Sequence, residues 1–341
     1  MSAASPLPQA DRPAAESGAG LPVLAVISNG GSTENKKHVG WAEGILAGEP
    51  DVHVFHAHGP AEIAAAIQKA AGLKAEIIAV NGGDGTVDMV FAALLNDKPF
   101  AAPPMLALLP AGKTNMTAAA WCGAKNKFTG LQHLLHARRK QTLRATPRHI
   151  LTVDRNDGAA PLRGAFLGAA DVVDGILFCR KHIYPLNLPN ALSHAMAVCV
   201  LVWRSLFTRA DATVIEARWT DSTGHEGGEA PSGETGRFFF LGAMTLGRLI
   251  LGLEPVAAAG SGGVHYLSLT SGVRAVLAAI PRLVTKRVPQ GYKRTVRRAE
   301  KLTLAFDGAY TLDGELYDAK KEQPLTITAH DMLSFIDLRP S

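Results

Sequence analysis

Residues 77–95 read IIAVNGGDGTVDMVFAALL, and this stretch sets the architecture of the chain. Ile77–Val80 is a short run of β-branched and apolar residues, the pattern of a fully buried strand. The next six residues, Asn81-Gly82-Gly83-Asp84-Gly85-Thr86, interrupt it, and apolar periodicity then resumes as a helix from about Val87 to Leu95. Three glycines in four positions let the backbone take positive φ and come close to a ligand. The amides of such a turn and of the helix start converge on one concavity suited to phosphate. Asp84 stands apart, because a carboxylate beside phosphate is repulsive unless it holds a cation or takes a proton. The alternative is a tight strand-to-helix turn with Asp84 or Thr86 as N-cap.

The chain has room for two domains of ordinary size, since it has 341 residues, 47% of them hydrophobic. A net charge of +5 suits an anionic partner such as a nucleotide, acidic lipid headgroups or nucleic acid. Cys122, Cys179 and Cys199 are widely spaced with no CxxC pair, which predicts buried thiols in a reducing compartment. Residues 1–20 are rich in Ala, Pro, Gly and Ser and lack an apolar core, the composition of a disordered leader. The best candidate for a membrane span, Ala195–Phe207, is interrupted by Arg204. The expected location is therefore cytoplasmic, either free or peripheral on a membrane surface.

Outward from the glycine turn, strands and helices alternate. Strands are expected at Pro22–Ser28, Val52–Phe55 and Met105–Leu109, and helices at Lys37–Leu46 and Ala61–Ala71. This alternation predicts a doubly wound α/β layer with ligands at the carboxyl ends of its strands. Two further polar turns fall at such ends. One is Asn29-Gly30-Gly31-Ser32-Thr33, followed by Lys36 and Lys37; the other is Pro110-Ala111-Gly112-Lys113-Thr114-Asn115. Gly112-Lys113-Thr114 is not a Walker A loop, because Ala107 occupies the position of its first glycine. His53, His56 and His58 have no interleaved carboxylate, and alternation puts only His56 and His58 on one face, which speaks against a metal site.

A basic cluster (Arg138, Arg139, Lys140, Arg144) closes the first lobe, and Pro147 marks the expected boundary. Beyond it come short strands: Arg148–Val153, Gly164–Ala169, Ala212–Arg218, Arg237–Ala243, Val264–Leu269, Lys301–Phe306 and Leu325–Ala329. They predict a mainly antiparallel β-sandwich, interrupted by an apolar helix near Asn190–Leu206 and an exposed loop at Gly224–Gly236. The expected division is a leader over 1–20, an α/β nucleotide-binding domain over 21–146, a β-rich domain over 147–330, and a last strand in 331–341 returning to the first domain. Near the end, Asp313-Gly314 between alternating apolar residues is a hairpin signal. Apolar and basic residues alternate over Val273–Arg298, which suits either a surface attracted to anionic lipid or a helix packed on the sandwich with a solvated basic face. The stretch lacks interleaved aromatics for stacking bases, so nucleic acid is not an expected partner.

Three motifs occur in one order: GGDGT at Gly82–Thr86, P-x-G-x-x-N at Pro110–Asn115, and Asp313-Gly314-Glu315. Together they resemble the diacylglycerol and sphingolipid (ceramide, sphingosine) kinases, in a superfamily that also includes NAD kinases. The resemblance runs from about Leu21 to Ile336. It implies ATP-dependent phosphorylation of a lipid hydroxyl at a membrane surface, with Mg²⁺ and ATP as cofactors. It implies catalytic roles for Asp84, Asp313 and Glu315, with Asp84 as base, and Mg²⁺ held through Asp84 or Asp313. The nucleotide phosphates would lie against Asn29, Gly82, Gly83, Gly85, Thr86, Gly112, Lys113, Thr114 and Asn115. Phe166–Gly175 (FLGAADVVDG) resembles a segment of the sphingosine and ceramide kinases, which implies that Asp171 holds the lipid headgroup. Where many bacterial diacylglycerol kinases carry Asp-Asp-Gly supporting a structural Mg²⁺, this chain has Ser261-Gly262-Gly263, so that second metal is expected to be absent. The helix after GGDGT also departs from the family, with Asp88-Met89 in place of Asn-Glu. The other readings kept open are a NAD kinase-like enzyme with a soluble acceptor and a non-catalytic lipid or nucleotide sensor.

Overall fold

Buried apolar strands dictate the first layer. The computed structural model describes residues 20–38, 40–170, 173, 213–220, 232–247, 260–270 and 294–339. β1 (Leu24–Ser28) and β3 (Ile77–Gly82) are buried at every position. β2 (Val52–His56) and β4 (Met105–Pro110) flank them, and all four pair in parallel. The intervening helices are α1 (Trp41–Leu46), α2 (Gly59–Gly72) and α3 (Asp84–Leu95). α1 starts later than the Lys37 expected, because Gly40 takes a left-handed conformation at its N-cap. α3 starts earlier than Val87, because the strand runs on through Gly82 and only Gly83 separates it from the helix. Two helices without a clear sequence signal follow, α4 (Met116–Trp121) and α5 (Lys127–Arg139).

The six-stranded sheet has the order β2-β1-β3-β4-β17-β5. Its last two members are β5 (Ala145–His149) and β17 (Met332–Ile336), an antiparallel pair, and β17 also runs parallel to β4. Pro147 is therefore inside the first sheet, opposite Ser334, rather than at a boundary. β5 is the last strand in the order, and an edge strand tolerates a proline that cannot donate to a ladder. The change of sheet comes at Ile150, whose own amide bonds to the Asp331 carbonyl.

The basic cluster is likewise not one surface patch. Arg138 is fully buried, and its guanidinium donates to the carbonyls of Pro22 (2.7 Å) and Pro50 (2.8 Å). Arg139 pairs with Glu49. Arg138 thus satisfies chain carbonyls at the entries to β1 and β2.

The second lobe runs through β6 (Leu151–Asp154), β7 (Leu162–Gly164), β8 (Phe166–Ala169), β9 (Val214–Thr220), β10 (Ser232–Met244), β11 (Val264–Thr270), β12 (Arg294–Ala299), β13 (Lys301–Ala305), β14 (Gly308–Leu312), β15 (Glu315–Ala319) and β16 (Leu325–Thr328). Among the described residues, the expected sandwich takes the form of one curled eleven-stranded antiparallel sheet. Its two halves share β10: Ser232–Arg237 pair with β9, and Leu241–Met244 pair with β8 and β11. Part of the expected Gly224–Gly236 loop is accordingly strand. The expected helix near Asn190–Leu206, Asp171, Cys179, Cys199 and most of Val273–Arg298 lie outside the described residues.

Each lobe has its own core, one centred on β1, β3 and β4 and one on β9, β13 and β16. Ala165 and Leu246 come from the second lobe's chain but belong to the first core, so the lobes meet through packed apolar surface. Arg163 strengthens that joint, donating to Asn96 Oδ1 (2.8 Å) at the C-cap of α3 and bonding Thr152 and Asp331.

Candidate active site at the lobe junction

The order β2-β1-β3 sends the chain to opposite sides of β1, which makes a topological switch point at the carboxyl ends of β1 and β3. Asn29 follows β1 there, and Gly82-Gly83 end β3. Gly82, Gly83 and Gly112 are required by crowding and not, as the sequence suggested, by positive φ, since they and Gly85 all lie outside that region. A Cβ on Gly82 would sit 2.5 Å from the Thr86 Cβ, and one on Gly112 would sit 2.7 Å from the Gly83 Cα. The β3 and β4 loops touch backbone to backbone. At the start of α3 the Asp84 and Gly85 amides have no acceptor within the helix, the ordinary condition of a helix N-terminus that can receive an anion.

The other two loops are held by asparagines. Asn29 Nδ2 donates to Thr86 Oγ1 (2.9 Å), and its Oδ1 accepts the Gly31 amide (2.9 Å). Asn115 stands in the left-handed region at φ 50°, and its side chain bonds the Gly112 amide (2.7 Å) and carbonyl (2.8 Å). Asn115 thus closes its own loop, and the Gly112 amide expected to hold phosphate is spent on it. Lys113 and Thr114 are exposed on the same loop.

Asp84 is 9% exposed. Its Oδ2 accepts the Met116 amide and its Oδ1 the Thr117 amide, each at 3.1 Å. It therefore caps α4 from a helix more than thirty residues away in sequence. Burial pushes its pKa up, and the amides of Thr117, Met116 and Asn115 pull it back.

Across the junction the β14–β15 hairpin turns through Asp313 (φ 47°) and Gly314 (φ 93°), the two positive dihedrals of the tight turn that Asp-Gly signals. Asp313 is 8% exposed and accepts the amides of Ala165 (2.6 Å) and Phe166 (3.1 Å). A Cβ on Gly164 would fall 2.4 Å from its Oδ2, which explains the small residue there. Glu315 reaches the first lobe: a Cβ on Gly85 would meet its Oε1 at 3.5 Å.

The sequence singled out Asp88 only as a departure from a motif, yet it belongs to this cluster. It is half-buried as a residue, but its Oδ1 is shut off from solvent and has no hydrogen-bond partner. Its carboxyl shares a hydrogen bond with Asp313, and burial together with the Asp313, Asp84 and Glu315 charges drives its pKa well up. Asp313 is itself raised to about 7, mainly by burial and against the amides of Ala165 and Phe166.

Magnesium fits this cluster in one limited way. Among the described residues no three His, Cys, Asp or Glu side chains converge on a metal position. An ion carried by nucleotide phosphates needs only one or two carboxylates from the protein, and the orphaned Asp88 oxygen is such a donor. In the second lobe, Gly262 lies against the Ala299 carbonyl and gives its own carbonyl to Arg298 Nε (3.0 Å).

Two comparisons agree with this geometry. A family profile, the diacylglycerol kinase catalytic domain, matches residues 23–146. Among solved structures, one described as a diacylglycerol kinase from Bacillus anthracis str. Sterne is similar over 92% of this chain and 96% of its own, at 14% identity and a TM-score of 0.57. A candidate diacylglycerol kinase from the same organism is similar over the same shares, at 15% identity and a TM-score of 0.61. At such identities the likeness establishes the fold. No curated protein matches the chain.

Proposed function

We propose that the chain is a lipid kinase of the diacylglycerol kinase family, whose catalytic-domain profile matches residues 23–146, and that it transfers the γ-phosphoryl group of ATP to a lipid hydroxyl. Diacylglycerol is the first candidate acceptor, and ceramide or a sphingoid base the second. The observation that carries this reading is the meeting of the glycine turn and Asp84 on one lobe with Asp313 and Glu315 on the other.

Phosphoryl transfer depends mainly on positioning and charge neutralisation. The amides at the start of α3 receive phosphate oxygens, with Thr86 and Asn29 fixing the loop beside them. Asn115 acts by holding its loop shut against Gly83, and Lys113 adds positive charge at the rim. Asp84 takes the proton of the lipid hydroxyl. Burial raises the basicity of its carboxylate, and the α4 amides fix its orientation. Asp88 would supply the protein's contact to a magnesium ion carried by ATP, and that ion would supply charge neutralisation of the phosphates. Asp313 positions the hairpin so that Glu315 closes the cleft. The acceptor enters from a membrane surface; Asp171 stays the proposed headgroup contact, and the excess of basic residues favours anionic lipid.

The test is transfer of labelled γ-phosphate from ATP and Mg²⁺ to diacylglycerol, ceramide, sphingosine and NAD, with Asp84→Asn beside the wild type. A phosphorylated lipid that disappears in the variant supports the reading. Transfer to NAD alone would replace the lipid acceptor, and ATP binding with no transfer to any acceptor would point to a sensor.

A further inference from the structure

Lys127 is in an unfavourable place for a cation. It is the first residue of α5, where the helix dipole repels positive charge, and only 2% of it is exposed. Burial lowers its pKa, as expected for an ammonium taken out of water. Four groups compensate. Nζ donates to the Glu34 carbonyl (2.8 Å) and to Asn35 Oδ1 (2.9 Å). It also lies over the rings of Trp41 and Phe128, 5.1 and 5.2 Å from their centroids.

Both acceptors lead directly into the glycine cradle. Asn35 is 5% exposed, and once its oxygen is held by Lys127 its Nδ2 must face the site. There it donates to the carbonyls of Asn29 (2.8 Å) and Asn81 (3.0 Å). Asn29 in turn bonds Thr86, and Asn81 precedes Gly82 at the end of β3. Glu34, whose carbonyl Lys127 holds, gives its amide to the Ala111 carbonyl in the third loop (3.0 Å). One ammonium thus orders the loops after β1, β3 and β4 from behind, without lining the cleft itself.

We propose that Lys127 is a positioning residue for the nucleotide phosphates, acting through the orientation of the Asn35 amide. The proposal rests on the kinase reading above. The charge matters because a lysine that only filled space could be exchanged for an apolar chain of equal length. Without the ammonium, Asn35 is free to turn its amide over and lose both carbonyls, and the Asn29–Asn35 loop loses its set position against Thr86.

The experiment is calorimetric titration of ATP into full-length protein, together with KM for ATP and for diacylglycerol, for wild type, Lys127→Met, Lys127→Arg and Asn35→Asp. Lys127→Met keeps the contact with Trp41 and Phe128 and removes the charge. Asn35→Asp keeps a partner for Lys127 and removes the donor to Asn29 and Asn81. Both variants should weaken ATP binding by ~10-fold or more, the usual cost of a lost charged hydrogen bond in Lys127→Met and of two lost amide hydrogen bonds in Asn35→Asp, while KM for the lipid moves less than about two-fold. Lys127→Arg should recover part of the loss. If Lys127→Met does not fold, Asn35→Asp decides alone. Normal ATP affinity in a folded Lys127→Met or in Asn35→Asp overturns the proposal even where stability falls. A wild type that binds no ATP overturns the kinase reading and this proposal with it.

Discussion

Asp88→Asn should make the protein more stable at alkaline pH and leave it nearly unchanged at acid pH. Asp88 projects from α3 of the first lobe, Asp313 sits at the hairpin of the second, and their carboxyls share a hydrogen bond with little access to water. Two carboxylates cannot both be charged in such a contact, so the pair keeps a proton and titrates as a unit. Both pKa values are raised, that of Asp313 to about 7, whereas in the unfolded chain both groups lose their protons near ~4. Between those limits the folded state binds more protons than the unfolded one, so stability falls as pH rises. One retained proton costs about 1.4 kcal/mol per pH unit, or roughly 3 kcal/mol between pH 5 and 7. The carboxamide introduced by Asp88→Asn would donate to Asp313 without needing a proton and remove that slope. Urea unfolding midpoints of both proteins, measured with EDTA from pH 5 to 8, test this. The two should coincide near pH 5 and separate in favour of the variant by roughly 2–3 kcal/mol at pH 8. A constant difference at every pH would refute the shared proton.

Three further outcomes follow from the site. Asp84→Ala removes the cap of α4 as well as the proposed base, so it should lose stability by roughly 1–2 kcal/mol in urea melts in addition to abolishing transfer. Gly82→Ala puts a methyl group 2.5 Å from the Thr86 side chain; α3 must shift, with a cost of roughly 1–3 kcal/mol and a loss of ATP affinity measurable by calorimetry. Arg163→Met leaves Asn96, Thr152 and Asp331 without their shared donor. It should loosen the lobe joint by roughly 2 kcal/mol, visible as faster proteolysis near Ile150.

The parts of this protein that local sequence determined are those whose cause is local. Continuous apolar runs next to glycine turns gave β1, β3 and β4 correctly, because a strand buried on both faces must be continuously apolar. Asp313-Gly314 announced its own hairpin, because few residue pairs accept two positive φ angles. The motif order carried the resemblance to the lipid kinases and left the purpose of its residues open. Whether Gly112 serves conformation or close approach was undecidable from the sequence, since its Cβ clash is with Gly83, about thirty residues away in the chain. The same separation hid Asp84 as the cap of α4, Asp88 as the partner of Asp313 and Lys127 as the support of Asn35. Arg138 read only as one of a basic cluster because charge is visible in a sequence, while the carbonyls of Pro22 and Pro50 that accept its hydrogen bonds are brought to it only by the packing of α5. Sequence reading finds groups that a residue's neighbours in the chain require. Which partner neutralises, caps or crowds a group is decided by tertiary contacts, and at this lobe junction most of the candidate side chains take their partners from a distant part of the chain.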